Sequence, residues 1–164
     1  MNFKNIILSF ILLFVTWMLL NSSLDIQTIG VGIVVSLFVS FAICSKCEVF
    51  TEVNLTPKGI FYFFTYFFVF MGALIKSNLD VARRVVSPSL PINPGIVEVE
   101  TKLKSKIGRL VLANSITLTP GTLTVDIKDD KIYIHWINVT GADKENATKE
   151  IVKTFEKYLE VIYG

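Results

Sequence analysis

The residue types that support metal or redox chemistry are few in this chain of 164 residues. It contains two cysteines and one histidine. A structural zinc site takes four Cys or His ligands, so these three residues cannot complete one. Cys44 and Cys47 form a C-x-x-C pattern, but redox or metal use of that pattern needs a thioredoxin-like setting or further ligands. We therefore interpret them as two small buried thiols.

The acidic residues of the carboxyl-terminal half and the lone histidine also lack the spacing of a site. Asp126, Asp129, Asp130 and Asp143 have no Gly at the sixth position of a calcium loop and no closing Glu. His135 has no nucleophile or paired carboxylate at a useful spacing, so we expect an exposed surface residue. A phosphate-binding Gly loop is missing from the sequence too. The sequence predicts no catalytic residue, cofactor, metal or small-molecule substrate, and it argues against an enzyme.

One polar stretch stands out, Asn114-Ser-Ile-Thr-Leu-Thr-Pro-Gly-Thr122. Helical spacing places Asn114 on an apolar stripe, where its amide would need hydrogen-bond partners. Pro120 fixes φ and Gly121 permits a positive φ, which predicts a corner between a helix and a strand. Two interpretations remain open: a buried Asn that caps the corner, or a partner-docking loop close to the membrane surface.

The elements that carry these residues divide into two parts. Hydrophobic residues make up 52% of the chain and charged residues 18%, below the roughly 25% usual in soluble domains. Residues 1–75 hold only six of the 30 charged side chains but twelve of the thirteen phenylalanines. This asymmetry predicts lipid around the first part and water around the second, and it excludes a single soluble globule. The net charge of +2 is too small to indicate nucleic acid.

Three apolar runs without charge predict three transmembrane α-helices, at about residues 5–21, 28–44 and 60–75 of a membrane region over 1–76. The first run can also be interpreted as a signal peptide, but no good cleavage site follows it, so we expect it to be retained. The second run contains four small residues, Gly30, Gly32, Ser36 and Ser40. They either form a face that packs against another helix or reflect the ordinary composition of membrane helices. The aromatic run Phe61–Phe70 can face lipid or form a seam with protein, and the sequence leaves both interpretations open.

The charges around these runs limit both mechanism and orientation. No run contains Asp, Glu, Lys, Arg or His, and an ion in hydrocarbon is costly without such groups, so this chain alone cannot relay protons. Three spans divide the nearby basic residues equally, with Lys4, Lys46 and Lys58 on one side and Lys76, Arg83 and Arg84 on the other. That is a tie under the positive-inside rule. The basic residues of the carboxyl-terminal domain favour a cytoplasmic location weakly.

Residues 77–95 are expected to form an interfacial amphipathic helix and a Pro-rich linker. Arg83 and Arg84 are the residues that would meet lipid phosphates there. Residues 96–164 then predict a β-α-β-β-α domain, a two-layer sandwich of two helices on a three-stranded sheet. Asp143 is the expected N-cap of its last helix.

The hairpin of this domain has a predicted register. A two-residue turn at Asp129-Asp130 pairs Ile127 with Ile132, Val125 with Ile134, and Leu123 with Trp136. All six apolar side chains would then share the buried face.

Several stretches together give the sequence a family resemblance. They are Val81–Val85, Pro88, Ile92–Val97, Leu112–Thr122 and Ile134–Trp136. In these stretches the chain resembles the E-type subunits of the Mrp-type multisubunit Na⁺/H⁺ antiporters. The same family supplies a component of the antiporter-like module of membrane-bound hydrogenases and related respiratory complexes. With the spans, the resemblance covers nearly the whole chain.

The resemblance implies a non-catalytic subunit of the cell membrane with a cytoplasmic carboxyl-terminal domain. Its implied partners are membrane lipid, small subunits of the E, F, G, B and C types, and large proton-pumping subunits. The family motif falls on Asn114, Thr117, Thr119, Pro120, Gly121 and Thr122. We expect these residues to serve assembly and corner geometry and not ion ligation. The alternative function is a self-sufficient membrane-anchored binding module, and the sequence leaves open whether the parent complex is a stand-alone antiporter or a hydrogenase-linked one.

Overall fold

The computed structural model describes residues 3–44, 51–139 and 144–164. Its elements in chain order are α1 (Phe3–Asn21), α2 (Ile26–Cys44), α3 (Pro57–Val86), β1 (Gly95–Glu100), α4 (Lys106–Leu118), β2 (Thr122–Lys128), β3 (Lys131–Trp136), α5 (Lys144–Ala147), a π-helical turn (Thr148–Val152) and α6 (Lys153–Tyr163). The chain divides into two compact units, Met1–Val53 and Asn54–Gly164. The expected boundary at residue 76 therefore falls inside the second unit. Cys47 and Asp143, for which the sequence predicted roles, lie outside the described residues.

The first unit is a helical hairpin whose buried side is polar. Residues 22–25 connect α1 to α2, and Ser22 adopts a positive φ of 50° in this turn. The buried side chains are Asn5 and Ser9 of α1 and Ser36 and Ser40 of α2. Large apolar side chains of both helices are exposed instead. This is the reverse of a soluble protein and is typical of helices that pack through small polar residues within lipid.

The structure decides one question that the sequence left open in α2. An added Cβ on Gly32 would lie 2.5 Å from Cδ1 of Trp17, whereas one on Gly30 would have nothing within 4 Å. The Trp17 indole also donates from Nε1 to the carbonyl oxygen of Thr28, at 3.0 Å. Gly32, Ser36 and Ser40 therefore do form a packing face, and Gly30 does not belong to it.

Among the described residues, α1 and α3 are long and apolar enough to cross a membrane, and the apolar part of α2, Ile26–Ala42, is shorter. One expectation about α3 is wrong, because the interfacial helix predicted after residue 76 is not a separate element. α3 runs for 30 residues without a break, since neither Pro nor Gly interrupts residues 76–86. It ends at Ser87, whose backbone N–H bonds to the carbonyl of Arg84, directly before Pro88.

The second unit contains a three-stranded sheet, as the sequence predicted, and the structure shows it to be antiparallel with strand order β1-β3-β2. In the hairpin the predicted pair of Ile127 with Ile132 is present. The other two predicted pairs are wrong, because an irregularity between Thr124 and Asp126 shifts the register. A β-bulge of this kind adds one residue to one strand, and every side chain beyond it changes its opposite partner.

The shifted register changes which residues of β2 face the core. Thr124 lies opposite Ile134, and Leu123 lies opposite His135. Leu123 and Val125 are consequently 51% and 56% exposed, where the sequence predicted buried side chains. Thr124 is the half-buried residue, and its hydroxyl donates to the carbonyl of Ala113 at 3.1 Å.

The core of the second unit lies between the sheet and the helices. The sheet contributes Val99, Ile132 and Ile134, α4 contributes Leu112 and Ile116, and the carboxyl-terminal helical segment contributes Ala147, Ile151, Val152, Phe155, Leu159 and Ile162. Helical spacing in the sequence predicts one apolar face for the last helix. The burial of five of its members is confirmed, and the sixth, Tyr158, is half-buried; the five are Ala147, Ile151, Phe155, Leu159 and Ile162.

Candidate functional site

The corner after α4 is held by two threonine side chains that bond to the last turn of the helix. The Thr119 hydroxyl donates to the carbonyl of Ser115 at 2.7 Å. The Thr122 hydroxyl lies 2.6 Å from the carbonyl of Ile116 and 2.8 Å from that of Thr119. Carbonyls at the end of a helix lack partners within the helix, so these side chains satisfy them and fix the direction of the chain.

Gly121 completes the corner with a backbone conformation that suits glycine. Its φ is +93°, in the region that L side chains rarely adopt. Its carbonyl accepts the N–H of Ile137 at 2.8 Å. An added Cβ would lie 2.9 Å from Cγ2 of Ile137, so space as well as φ restricts this position. The positive φ predicted from the Pro-Gly pair is confirmed.

Asn114 is exposed, so the interpretation that it is a buried cap is wrong. The buried polar residue of α4 is its neighbour Ser115, which is 4% exposed. The Ser115 hydroxyl lies 2.7 Å from the carbonyl of Val111 and is also hydrogen-bonded to the Tyr66 hydroxyl. A serine can bond to the preceding turn of its own helix, so its burial costs less than that of a larger amide. The buried stripe of α4 is therefore rotated by about one residue from the predicted one.

The six motif residues thus divide by position. Thr119, Pro120, Gly121 and Thr122 are half-buried in the corner, whereas Asn114 and Thr117 are exposed. The Thr117 hydroxyl accepts the N–H of Thr124 at 3.1 Å and joins α4 to β2. Asn114 lies between two exposed leucines of its helix, Leu110 at 52% and Leu118 at 62%. We call Leu110, Asn114 and Leu118 the α4 outer stripe, since a spacing of four residues puts them on one helical face.

The aromatic run of α3 forms a seam with the domain on one side only. The ring of Tyr62 lies 6.1 Å from that of Tyr158, and Phe70 lies 6.1 Å from Phe155. Tyr66 contacts Phe155 as well, with ring centroids 6.3 Å apart. The remaining large rings of the run are exposed, namely Phe61, Phe63, Phe64, Phe67 and Phe68. The structure therefore assigns three of the aromatic residues to a protein seam and leaves these five phenylalanines uncovered.

The second half of α3 borders a cleft of about 490 Å³. Thr119, Pro120 and Thr122 of the corner contribute to its wall, together with Trp136. Within this cleft the Arg84 guanidinium pairs with the Asp80 carboxylate at 2.7 Å, and only 18% of the Arg84 side chain is exposed. Of the two arginines predicted to meet lipid phosphates, Arg84 is therefore engaged within the protein. The lipid role stays a prediction, and Arg83, which is exposed, is the better placed of the two.

The structure also reveals a buried carboxylate that sequence reasoning missed. Glu156 is 6% exposed and accepts two hydrogen bonds, from the Thr101 hydroxyl at 2.6 Å and from the backbone N–H of Lys102 at 2.7 Å. The bonds join α6 to the end of β1. The available signal was its spacing, because Glu156 lies four residues after Val152 and three before Leu159 on the buried face.

Within the part of the chain that the structure describes, the metal-binding residue types do not cluster. No three His, Cys, Asp or Glu side chains converge within ranges 3–44, 51–139 and 144–164. His135 is exposed, as predicted. The α4 outer stripe, next to the corner, is an exposed and partly apolar surface.

Comparison with known proteins identifies the family. The family model described as Na⁺/H⁺ ion antiporter subunit matches residues 10–162. The chain is 37% identical over 145 residues to the E subunit of the Na⁺/H⁺ antiporter of Alkalihalophilus pseudofirmus, covering 87% of this chain and 88% of that protein. It is 36% identical over 160 residues to the E1 subunit of the Na⁺/H⁺ antiporter of Staphylococcus haemolyticus, covering 93% and 92%.

A solved structure is similar over an even larger share of the chain. It is a chain of the membrane-bound sulfane sulfur reductase, an archaeal respiratory membrane complex, with 46% sequence identity and a TM-score of 0.84. The similarity covers 97% of this chain and 99% of that one. Because the family model spans nearly the whole sequence, the protein belongs to the Na⁺/H⁺ ion antiporter subunit family and is similar to its E-type members.

Proposed function

We propose that this protein is a non-catalytic membrane subunit of a multisubunit cation/proton antiporter, or of the antiporter-like module of a respiratory membrane complex. It supports the assembly of partner subunits, and those partners carry the ion translocation. The observation that carries this proposal is its 46% identity to a chain of an archaeal respiratory membrane complex over 97% of its length. A fold shared so completely argues that the whole chain, and not only an anchor, is built for such an assembly.

The composition of the apolar helices supports an accessory role. Residues 5–21 of α1 and all of α2 lack Asp, Glu, Lys, Arg and His. A proton or cation route through hydrocarbon needs such groups facing the interior. The hairpin of α1 and α2 is therefore proposed to anchor the chain in the cell membrane and to pack against partner subunits. The third span expected from the sequence falls on α3, which differs from α1 and α2 because the domain packs against one side of it.

The parent complex is proposed to be of the respiratory type. The identity to the chain of the respiratory complex is 46%, against 37% and 36% for the two antiporter proteins from Alkalihalophilus and Staphylococcus. The sulfane sulfur reductase is one member of this type, and partner chains that bear redox centres would establish the same class here.

The α4 outer stripe and Thr117 are proposed to form the assembly surface of the domain. Leu118 is 62% exposed, and exposed apolar side chains beside an uncharged amide are typical of protein interfaces. The half-buried motif residues are proposed to hold this surface in place through the corner. The domain is proposed to lie in the cytoplasm.

Co-purification from native membranes tests the proposal. The protein is tagged after Gly164, extracted in mild detergent, and its partners are identified by mass spectrometry. We expect large multi-span antiporter-like subunits, together with redox subunits if the complex is respiratory. An 18.4 kDa chain that survives gentle extraction alone would contradict the proposal and favour a self-sufficient anchored binding module.

Two variants locate the assembly surface within the same experiment. Leu118→Gln and Asn114→Asp change exposed side chains, so the amount of inserted protein should stay normal while the recovered partners decrease severalfold. His135→Gln is the matched control, since His135 is exposed on the sheet and away from α4. Normal partner recovery in both α4 variants would exclude the α4 outer stripe as the interface.

A further inference from the structure

α3 has an apolar outer side, and the carboxyl-terminal domain packs against its inner side. We propose that α3 lies in the plane of the membrane surface, beneath the carboxyl-terminal domain, with its outer side in the lipid interface. It would then not cross the bilayer. This inference rests on the membrane-subunit role proposed above, and its test does not depend on which partners co-purify.

The inner side of α3 contacts the domain near its start, in its middle and at Val81, with the cleft described above beside its second half. Before the helix begins, the N–H of Asn54 donates to the carbonyl of Ile162 at 2.8 Å. The ring seam with α6 follows in the middle of the helix. Near the other end, Cγ2 of Val81 lies 3.6 Å from the position of a Cβ on Gly121. The part of α3 between its start at Pro57 and Val81 is about 37 Å long at about 1.5 Å per residue, which is more than the thickness of a hydrocarbon core, ~30 Å.

This contact makes a crossing α3 energetically unfavourable. If residues 60–75 spanned the hydrocarbon, α6 would lie beside them at the same depth. Lys153, Lys157 and Glu160 of α6 are exposed, and each charge at the bilayer centre costs about 2.5–3.5 kcal/mol or more.

The outer side of α3 has the pattern of an interfacial helix. Phe64, Phe68, Met71, Ile75 and Leu79 follow one another at three or four residues, on the side away from the domain, and are 40–70% exposed. Such a stripe is suited to shallow burial among acyl chains.

The basic residues of α3 indicate that lipid, and not a partner helix, covers its outer side. Lys58, Lys76 and Arg83 are all exposed. They are separated by 18 and 7 positions, which is close to five and two helical turns, so they lie along one flank of α3. A cationic flank parallel to an apolar stripe matches the phosphate level above the acyl chains. If a helix of a partner subunit covered the outer side of α3, these three basic side chains would have no lipid phosphates to pair with.

A chain that crosses the membrane only twice has no tie under the positive-inside rule. If only α1 and α2 cross, the segments before α1 and after α2 lie on the same side. All six basic residues then share that side, namely Lys4, Lys46, Lys58, Lys76, Arg83 and Arg84, and the turn at residues 22–25 carries none. An excess of six against none assigns the shared side to the cytoplasm.

Cysteine accessibility tests the path of α3. Single cysteines replace Leu24, Leu55 or Ser89 in a full-length Cys44→Ser/Cys47→Ser protein, and each is labelled with a membrane-impermeant maleimide in inside-out and right-side-out vesicles. The positions before and after α3 should both react from the cytoplasmic side, and Leu24→Cys, the control in the turn between α1 and α2, only from the outer side. Reaction of Leu55→Cys and Ser89→Cys from opposite sides would overturn the inference.

Depth measurements with spin labels then test whether lipid covers the outer side of α3. Labels at Phe64, Phe68 and Ile75 are examined in vesicles containing anionic phosphatidylglycerol and the assembled complex. Equal, shallow depth and contact with lipid-dissolved oxygen are expected at all three positions. A depth maximum at the middle position would show a crossing helix, and labels shielded from oxygen would show a protein partner. Either result would contradict the proposal.

Discussion

Replacement of Gly121 by alanine should destabilise the carboxyl-terminal domain strongly. At its φ of +93° an L side chain costs roughly 1–2 kcal/mol. The new Cβ would also lie 2.9 Å from Cγ2 of Ile137, and overpacking of this kind typically costs about 1–3 kcal/mol. Together these effects predict a loss of about 2–5 kcal/mol. That is a large share of the roughly 5–15 kcal/mol that stabilises an ordinary domain.

The loss can be measured on the full-length protein in mild detergent by urea unfolding, followed through the fluorescence of Trp136 next to the corner. Gly72→Ala is the matched control, because an added Cβ there would have nothing within 4 Å. Alanine in the interior of a helix should stabilise that variant by about 0.5–1 kcal/mol. A Gly121→Ala protein within ~0.5 kcal/mol of wild type, the usual range for innocuous surface substitutions, would refute the reasoning about φ and space.

The same corner links stability to assembly. Gly121→Val, or replacement of Pro120 by a residue that frees φ, should reduce the yield of complex more than it reduces membrane insertion. Partner recovery by co-purification and the amount of chain in the membrane fraction measure the two effects. Normal complex yield in both variants would exclude a role of the corner in assembly.

Three further predictions concern residues outside the corner. Glu156→Gln should lower the free energy of unfolding by about 1.5–3 kcal/mol in the same urea assay, because it weakens two charge-assisted hydrogen bonds. Gly32→Ala should lower the thermal stability of the α1–α2 hairpin in detergent, since its Cβ would collide with Trp17, whereas Gly30→Ala should not; equal behaviour of the two would contradict the packing face. Burial raises the pKa of Tyr163 above its ordinary value of 10.0, so its contribution to stability is fully present below pH 10 and is lost as the pH rises through the raised pKa. Tyr163→Phe should therefore lose less stability than wild type between neutral and strongly alkaline pH in urea titrations.

The sequence alone determined the features that depend on local pattern. The apolar runs, the buried stripe of the last helix and the positive φ at Gly121 were predictable, because helical periodicity and backbone freedom belong to neighbouring residues. The same local pattern misplaced Asn114, since a rotation of about one residue changes the buried face of α4 and only the packed neighbours select it.

Tertiary structure decided the features that depend on distant partners. The bulge between Thr124 and Asp126 exposes Leu123 and Val125. The alternation of residues along one strand does not reveal a bulge, because a bulge is defined by pairing with the neighbouring strand. The sequence does not show which aromatic residues of the run Phe61–Phe70 contact protein. In the structure the seam contains only the rings that contact Phe155 and Tyr158. An apolar run indicates how much apolar surface must be shielded from water, but only the tertiary structure determines whether protein or lipid covers that surface.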